Sequence, residues 1–340
     1  MNVIIIGSGI AGISFAEELA KLEPATSLTV LTREGGGYYS RPLLSHGFTR
    51  DDIETKIVLR SFEALHSAGI QVISRTDVLR LDVTGKTVTY RGQADELTLP
   101  YDRLILALGS EAFIPQPFLP QRALFEVLNS LDDLIRLRRQ RAEFCNQTAV
   151  TRWAVIGGGL IGCEVAADLA KAGDKVTLFH ALDRLMERQL VPEDSTTLLQ
   201  VLQREMDIEV CLNAAVQGFT GSRGALEVKL SEGTRTGFHG IIVACGFKPR
   251  TDLAKEAGLN TRRGVLVDNF MRTNAPEVYA IGDVAECPDG RLYAYVTPAR
   301  SQAIWLAQYL AGQTGEAWQR PAFKPKAKVP GFTAAHPYLF

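Results

Sequence analysis

Residues 3–12 read VIIIGSGIAG and residues 153–162 read WAVIGGGLIG. Each stretch places a short apolar run, typical of a buried strand, directly before a glycine-rich turn. Apolar side chains then recur at intervals of three and four, as in Phe15, Leu19 and Leu22, which predicts a helix packed on a sheet. A second strand follows each helix, at 28–32 and 175–179. Two β-α-β openings about 150 residues apart predict an internal duplication of one architecture.

Both turns have the G-x-G-x-x-G spacing of a Rossmann unit. The first glycine allows a turn that a Cβ would prevent, the second lets the backbone approach a phosphate, and the third lets helix and strand pack closely. The N-terminus of the following helix offers unpaired N–H groups to a pyrophosphate. The candidate dinucleotide-binding residues are therefore Gly7, Ser8, Gly9, Ile10, Ala11 and Gly12 in the first unit and Gly157, Gly159, Leu160, Ile161 and Gly162 in the second.

The acidic residue that usually follows the second strand of a Rossmann unit is missing in both halves. Thr32, Arg33 and Glu34 follow the first such strand, and Glu34 is a candidate ribose ligand or a solvated loop acid. His180 follows the second, with Arg184 and Arg188 beyond it. Because a basic pocket can accept a 2′-phosphate, the choice between NADH and NADPH stays open, with NADH weakly favoured.

Composition limits the function classes. The formal net charge is −1, so no overall positive field attracts nucleic acid or an anionic membrane. No apolar run reaches the roughly 20 residues of a membrane span. Five cysteines, an odd number without a C-x-x-C pair, argue against a disulfide framework. We expect a soluble cytoplasmic protein with no metal site.

The rest of the chain gives weaker signals. We expect an antiparallel meander at 87–91 and 97–99, one strand over 70–80, further strands at 101–108, 240–244 and 278–281, and a helix at 298–310 that starts at Pro298. A helix at 131–144 carries Arg136, Arg138, Arg139 and Arg141. We interpret these arginines first as a solvated face, and alternatively as a patch that steers an acidic partner.

With these residues in view, the chain resembles the two-dinucleotide-fold flavoprotein reductases, and among them the reductases of rubredoxin. Five further segments carry the resemblance, in the family's order along the chain: YSRPLLS at 39–45, YDRLILALG at 101–109, GGGLIGCE at 157–164, GFKPRT at 246–251 and YAIGD at 279–283. A sixth, AKVP at 327–330, is similar to a family segment whose lysine approaches the flavin.

The resemblance implies roles for individual residues. It places Arg41 and Lys328 near the flavin ring as tuning cations and Glu164 at the nicotinamide. It implies a flavin adenine dinucleotide site formed by the first glycine loop with Thr32, Arg33, Glu34, Arg41, Pro42, Val78, Ala107, Gly109, Gly282, Asp283, Val296 and Lys328. Asp283 would bind the ribityl chain, with a helix N-cap as its alternative role. Lys328 has the alternative of a tail lysine in water, and Glu164 that of a surface acid.

The implied fold is α/β, with two Rossmann-like domains of the three-layer ββα type. The FAD-binding domain would be discontinuous, at 1–112 and 248–320, with the NAD-binding domain, 113–247, inserted in it. Residues 321–340 would be the remnant of a C-terminal interface domain. We therefore expect a truncated third domain, which leaves the activity of the chain open.

The implied activity is transfer of a hydride from NADH to FAD, followed by release of electrons to an external carrier. Since no closely spaced thiol pair is present, rubredoxin or a similar small iron carrier is the expected partner. The alternatives are a flavorubredoxin, the ferredoxin of an oxygenase, or a low-activity redox or NAD sensor. The oligomeric state, monomer or homodimer, stays open.

Overall fold

A computed structural model describes residues 1–92 and 95–339 of the chain. They form two compact units: the first contains 1–40, 58–111 and 248–323, and the second contains 41–57, 112–247 and 324–340. Segment 41–57 thus belongs to the second unit, although the sequence suggested the first. Segment 324–340 also belongs to the second unit and is not a separate body.

The first unit has a five-stranded parallel sheet, a three-stranded antiparallel sheet and flanking helices. The parallel strands, in spatial order, are Val278–Ala280, Arg103–Leu106, Asn2–Ile6, Ser27–Leu31 and Ile70–Ile73. The antiparallel strands are Val78–Asp82, Thr87–Arg91 and Glu96–Pro100, and short strands lie at Tyr38–Tyr39, Val58–Arg60, Val265–Leu266 and Ala285–Glu286. The helices are Ile10–Leu22, Phe62–Ser67, Asp252–Glu256 and Val296–Leu310, with a 3-10 turn at Gly282–Val284.

The second unit repeats this plan. Its parallel strands, in spatial order, are Gly240–Val243, Arg152–Ile156, Lys175–Phe179 and Glu209–Cys211, and its antiparallel strands are Val216–Ser222, Ala225–Leu230 and Gly233–Phe238. The helices are Ile53–Lys56, Leu131–Cys145, Leu160–Lys171 and Pro192–Gln200, which continues as a π-helical turn at Val201–Glu205. 3-10 helices lie at Arg41–His46 and Gln116–Leu124. Short strands lie at Ser110–Ala112 and Phe247–Pro249, where the chain passes from one unit into the other.

The register of the parallel strands shows the duplication directly. Ile4, at the centre of the first sheet, pairs with Thr29 on one side and Leu104 on the other. Ala154 pairs in the same way with Thr177 and Ile241. In both sheets the first strand of the unit is central, its successor across a helix lies on one side, and a strand far along the chain lies on the other. The predicted fold class, two Rossmann-like units, is confirmed.

Close packing of helix against strand depends on the third glycine of each loop. A Cβ on Gly12 would lie 2.0 Å from the carbonyl oxygen of Gly7, and one on Gly162 would lie 1.8 Å from that of Gly157. Helix Ile10–Leu22 buries Ile13, Phe15 and Leu19 completely. Helix Leu160–Lys171 buries its residues from Gly162 to Leu169. Among the described residues, no helix is long and apolar enough to cross a bilayer.

Two predicted elements were placed wrongly. Residues 70–80, predicted as one strand, belong to two strands, and Val78 is the first residue of the second. Arg75, between them, has a φ of 49°, which no strand accommodates. The last helix begins at Val296, two residues earlier than predicted, because Tyr295 is its N-cap residue. Pro298 therefore lies inside the first turn, where its missing N–H costs no hydrogen bond.

The C-terminal segment 324–339 is irregular but packed. Ala327, Val329 and Phe332 are buried. The backbone N–H groups of Ala335 and His336 donate to the carboxylate of Asp194 at 2.9 and 3.0 Å. Burial alone would raise the pKa of Asp194, but these hydrogen bonds outweigh it and the pKa lies below its usual value. Hydrogen bonds to the Asp194 carboxylate thus hold this part of the segment in place without regular secondary structure.

We expect Gly162→Ala to destabilise the second unit by about 2 kcal/mol, since the new methyl would collide with backbone while gaining at most about 1 kcal/mol in helix propensity. Gly159→Ala is the matched control, because a Cβ there meets no atom within 4 Å. Thermal unfolding followed by circular dichroism measures both. Equal midpoints for the two variants would contradict the argument.

Candidate active site

The two glycine loops have the geometry that a pyrophosphate requires. Gly7 and Gly157 adopt φ values of 114° and 113°, which side chains rarely tolerate. The middle glycines differ from the others: a Cβ on Gly9 or Gly159 would meet nothing within 4 Å. Open space over the loop, directly at the helix N-terminus, is what a phosphate needs to reach the backbone N–H groups. Both loops therefore fit a dinucleotide.

The end of the second strand is tied to the first loop. The hydroxyls of Ser8 and Thr32 lie 2.8 Å apart, and both residues are buried. The Thr32 hydroxyl also accepts from the backbone N–H of Glu34 at 3.1 Å. The carboxylate of Glu34 accepts from the Tyr39 hydroxyl at 2.9 Å and is half-buried, so it is not an ordinary solvated acid. Arg33 is exposed and pairs with Asp77.

Predicted residues from distant parts of the first unit meet at this loop. A Cβ on Gly7 would lie 2.1 Å from the carbonyl oxygen of Ala107, and one on Gly282 would lie 2.9 Å from Cβ of Ala11. Asp283 follows within a 3-10 turn whose N-cap is Ile281, so the alternative role of Asp283 as a helix N-cap is wrong. Its carboxylate accepts from the Ser110 hydroxyl at 2.8 Å. Gly109, with a φ of 65°, precedes that serine.

The sequence analysis missed Gln302. This residue is fully buried, and its amide oxygen accepts from the backbone N–H of Gly282 at 2.8 Å. Its amide nitrogen lies 3.7 Å from the sulfur of Cys287. Gln302 thereby fixes the turn that presents Asp283. A glutamine on an apolar helix face, between Ala299 and Ala303, was the available signal.

The second loop is tied to its own second strand by a different side chain. Nδ1 of His180 accepts from the backbone N–H of Gly158 at 3.0 Å. Arg184 turns away from the loop, since its guanidinium donates to the carbonyl oxygens of Leu190 and Glu187 at 2.6 and 2.8 Å. Arg188 is 86% exposed.

Glu164, Lys328 and the segment after Arg41 form one cluster in the second unit, which we call the Glu164 cluster. Glu164 is 2% exposed, so its alternative role as a surface acid is wrong. Its carboxylate accepts from the Ser45 hydroxyl at 2.6 Å and from the backbone N–H of Lys328 at 2.9 Å. Nζ of Lys328 lies 3.3 Å from the same carboxylate and donates to the carbonyl oxygen of Pro42 at 2.6 Å. Lys328 is therefore not a tail lysine in water.

A second buried carboxylate on the same helix holds the same segment. Asp168 accepts from the backbone N–H of Phe48 at 2.8 Å and from the Thr49 hydroxyl at 2.6 Å. Arg41, half-buried in the 3-10 helix, donates to the carbonyl oxygen of Asn129 at 3.1 Å. Ser45 and Asp168 were not predicted as site residues, because nothing in the local sequence distinguishes them from ordinary helix residues.

The basic helix is not a free positive surface. Arg136 pairs with Glu126 and Asp133, and Arg138 pairs with Glu54 and donates to the carbonyl oxygen of Arg50. Arg141 pairs with the buried Asp174 at 2.6 Å. Three of the four arginines thus serve internal contacts. The solvated face is wrong for Arg138 and Arg141, whose side chains are 21% and 22% exposed, whereas Arg136 is 45% exposed. The steering patch stays a prediction.

All five cysteines are free thiols. Burial raises the pKa of Cys163 well above its usual value and those of Cys245 and Cys287 to about 11 and 12. The pKa of Cys211 is also raised, mainly by burial. These four thiols are therefore protonated at neutral pH and poor nucleophiles.

The fold and the loops define a protein with two dinucleotide-binding Rossmann-like units. The chain matches the family of pyridine nucleotide-disulphide oxidoreductases over residues 1–303 and belongs to that family. It is an oxidoreductase whose two units suit FAD and NAD(H).

Three relatives illustrate the similarity. The chain is 34% identical to a rubredoxin-NAD(+) reductase of Alcanivorax borkumensis, over 92% of this chain and 80% of the relative. It is 32% identical to a nitric oxide reductase FlRd-NAD(+) reductase of Vibrio vulnificus, over 97% and 83%. The crystal structure of a covalent putidaredoxin reductase–putidaredoxin complex matches with a TM-score of 0.83 at 28% identity, over 96% of this chain and 79% of that one.

We expect Lys328→Met to destabilise the second unit by about 1–3 kcal/mol, because it leaves the buried Glu164 carboxylate without its cation. Lys326→Met is the control, since Lys326 is an exposed lysine of the same segment. Urea unfolding of Lys328→Met, Lys326→Met, Glu164→Gln and the double variant Lys328→Met with Glu164→Gln measures the coupling. Additive effects of the two substitutions would show that the pair does not interact.

Proposed function

We propose that this chain is an NADH-dependent flavoprotein reductase that passes electrons to a small iron carrier, most simply rubredoxin. When bound, FAD would supply the chemistry of this proposal, which is acceptance of a hydride from NADH and release of single electrons. The observation that carries it is the presence of two glycine loops of the same geometry, each with open space over its middle glycine. Residues of the chain bind, orient and shield, and none acts as a general base.

The first unit is the proposed FAD domain. Its loop, Gly7 to Gly12, would hold the pyrophosphate, and Glu34, fixed by Tyr39, would accept from the adenosine ribose. Asp283 would accept from the ribityl hydroxyls, with Ser110 and Gln302 as its positioning residues. Val78, Arg33, Pro42, Gly109 and Val296 remain proposed contacts on the resemblance alone.

The second unit is the proposed NAD domain, and the Glu164 cluster belongs to it. Glu164 lies in the second turn of the helix that starts at Leu160, so its carboxylate stays near the end at which the dinucleotide binds. Lys328 and Ser45 fix both oxygens of that carboxylate. A carboxylate held this way can orient a carboxamide without changing rotamer. Arg41 and Lys328 are the proposed cations that tune the flavin.

The acceptor follows from the thiols and the relatives. Because four of the five thiols are held protonated, a disulfide relay through the protein is disfavoured. The relatives are named as reductases of rubredoxin, FlRd and putidaredoxin. A flavorubredoxin or an oxygenase ferredoxin is therefore the second candidate acceptor. A cytoplasmic location is part of the proposal and is supported by the free thiols.

Two matched substitutions test the two cofactor assignments separately. Gly9→Asp and Gly159→Asp each place a carboxylate in open space, so the fold should persist while phosphate is repelled. We expect purified Gly9→Asp to be colourless. We expect Gly159→Asp to stay yellow but not to be bleached by NADH under anaerobic conditions. The opposite pattern would exchange the two assignments, and a colourless wild-type protein that cannot be reconstituted with FAD would refute the function.

The acceptor is tested by stopped-flow mixing of NADH-reduced protein with rubredoxin, a flavorubredoxin and a ferredoxin. We expect rubredoxin to oxidise the protein at least about tenfold faster than the ferredoxin. The reason is that the chain is 34% identical to a rubredoxin-NAD(+) reductase and 28% identical to putidaredoxin reductase. A faster reaction with another carrier would replace rubredoxin as the partner. A reduced protein that reacts with none of them would favour the sensor.

A further inference from the structure

The second Rossmann-like unit has no acid at the usual position, and a different residue lies where one is needed. His180 directly follows strand Lys175–Phe179, and the next residues, Ala181 and Leu182, carry no charge. In the first unit the corresponding stretch supplies Glu34, two residues after Thr32. A dinucleotide ribose in the second unit must therefore find its hydrogen-bond acceptor elsewhere.

His180 marks the place where the ribose acid would act. Its ring packs against the loop next to the open middle glycine, since a Cβ on Gly158 would be 2.8 Å from Cγ of His180. Since Nδ1 accepts from the N–H of Gly158, the neutral ring carries its proton on Nε2. That Nε2 atom is buried and has no hydrogen-bond partner in the described part of the chain.

Glu187 supplies the carboxylate that lies beside this nitrogen. Oε2 of Glu187 lies 3.3 Å from Nε2 of His180. The Glu187 side chain is 22% exposed, so it is not sealed off from solvent. The turn before it is anchored to the loop, because the backbone N–H of Met186 donates to the carbonyl oxygen of Gly158 at 2.9 Å.

The nearby cations cannot take a 2′-phosphate without breaking existing contacts. Arg184 donates to the carbonyl oxygens of Leu190 and Glu187 and to the hydroxyl of Ser195. Arg188 is exposed, but its Nε lies 3.6 Å from Oε1 of Glu187. The carboxylate of Glu187 therefore lies beside the loop, between the His180 ring and the exposed guanidinium of Arg188.

We propose that Glu187 replaces the missing strand-end acid: it accepts from the adenosine ribose hydroxyls of NADH and excludes nucleotides that carry a 2′-phosphate. The inference rests on the proposed function, since it assumes that the second unit binds a nicotinamide dinucleotide. A carboxylate accepts hydrogen bonds from a 2′-hydroxyl, whereas it repels a phosphate at the same position. Glu187 is thus a specificity-determining residue, and Arg184 and Arg188 are not a phosphate pocket.

The test uses fragments that cannot be oxidised or reduced, so that turnover plays no part. Isothermal titration calorimetry of the FAD-loaded protein with ADP-ribose and with 2′-phospho-ADP-ribose gives two dissociation constants and their ratio. We expect the wild-type protein to prefer ADP-ribose, and Glu187→Gln to lower that preference by about tenfold through tighter binding of the phosphorylated fragment. Asp183→Asn removes the same charge from an exposed position of the same loop and should change the ratio by less than about twofold.

The outcomes distinguish a wrong role for Glu187 from a wrong assignment of the second unit to NAD(H). An unchanged ratio in Glu187→Gln, with a melting temperature equal to that of the wild type, overturns the role of Glu187 and leaves the proposed function standing. An equal shift in Asp183→Asn overturns it as well, because the effect would then be one of loop charge only. A wild-type protein that binds neither fragment would overturn this inference together with the assignment of the second unit to NAD(H).

Discussion

Everything in this structure depends on how closely a helix can approach the strand before it. A Cβ on Gly12 or on Gly162 would lie within 2.0 Å of a carbonyl oxygen of its own glycine loop. Each of these close contacts therefore exists only because the helix residue is a glycine. That approach directs the helix N-terminus over the end of the sheet, where its N–H groups and partial positive charge meet open space. The close packing of helix on strand and the open binding loop in each unit both depend on this contact.

The same physics explains which parts the sequence could predict. The strands and helices around the glycine loops have strong periodicity because each buries a complete face, and they were found within one or two residues. Segment 41–57 and the C-terminal segment have no regular periodicity, and long-range hydrogen bonds to carboxylates hold them together with their buried apolar residues. Their membership of the second unit required Glu164, Asp168 and Asp194 as long-range partners, which no local pattern reveals.

The buried acids also show why the sequence underestimates the contacts of single charged residues. A solvated charge was the alternative role for Glu164 and Lys328 and the first interpretation for Arg141. Each of the three has a partner distant in sequence. A buried carboxylate without partners would lose several kcal/mol to desolvation, so its presence requires N–H groups, hydroxyls or cations around it. Ser45 and the backbone of Lys328 meet that requirement for Glu164, and Arg141 meets it for Asp174.

Comparison of the two units shows what duplication preserves and what it leaves free to change. The link between the loop and the residue after the second strand is kept, although its chemistry differs: two hydroxyls join Ser8 to Thr32, whereas a ring nitrogen joins His180 to Gly158. The imidazole packs against Gly158, and Ala181 and Leu182 after it provide no acid where Glu34 follows Thr32 in the first unit. The carboxylate must then come from further along the chain, and Glu187 is the one that the anchored turn at Met186 brings to the ring.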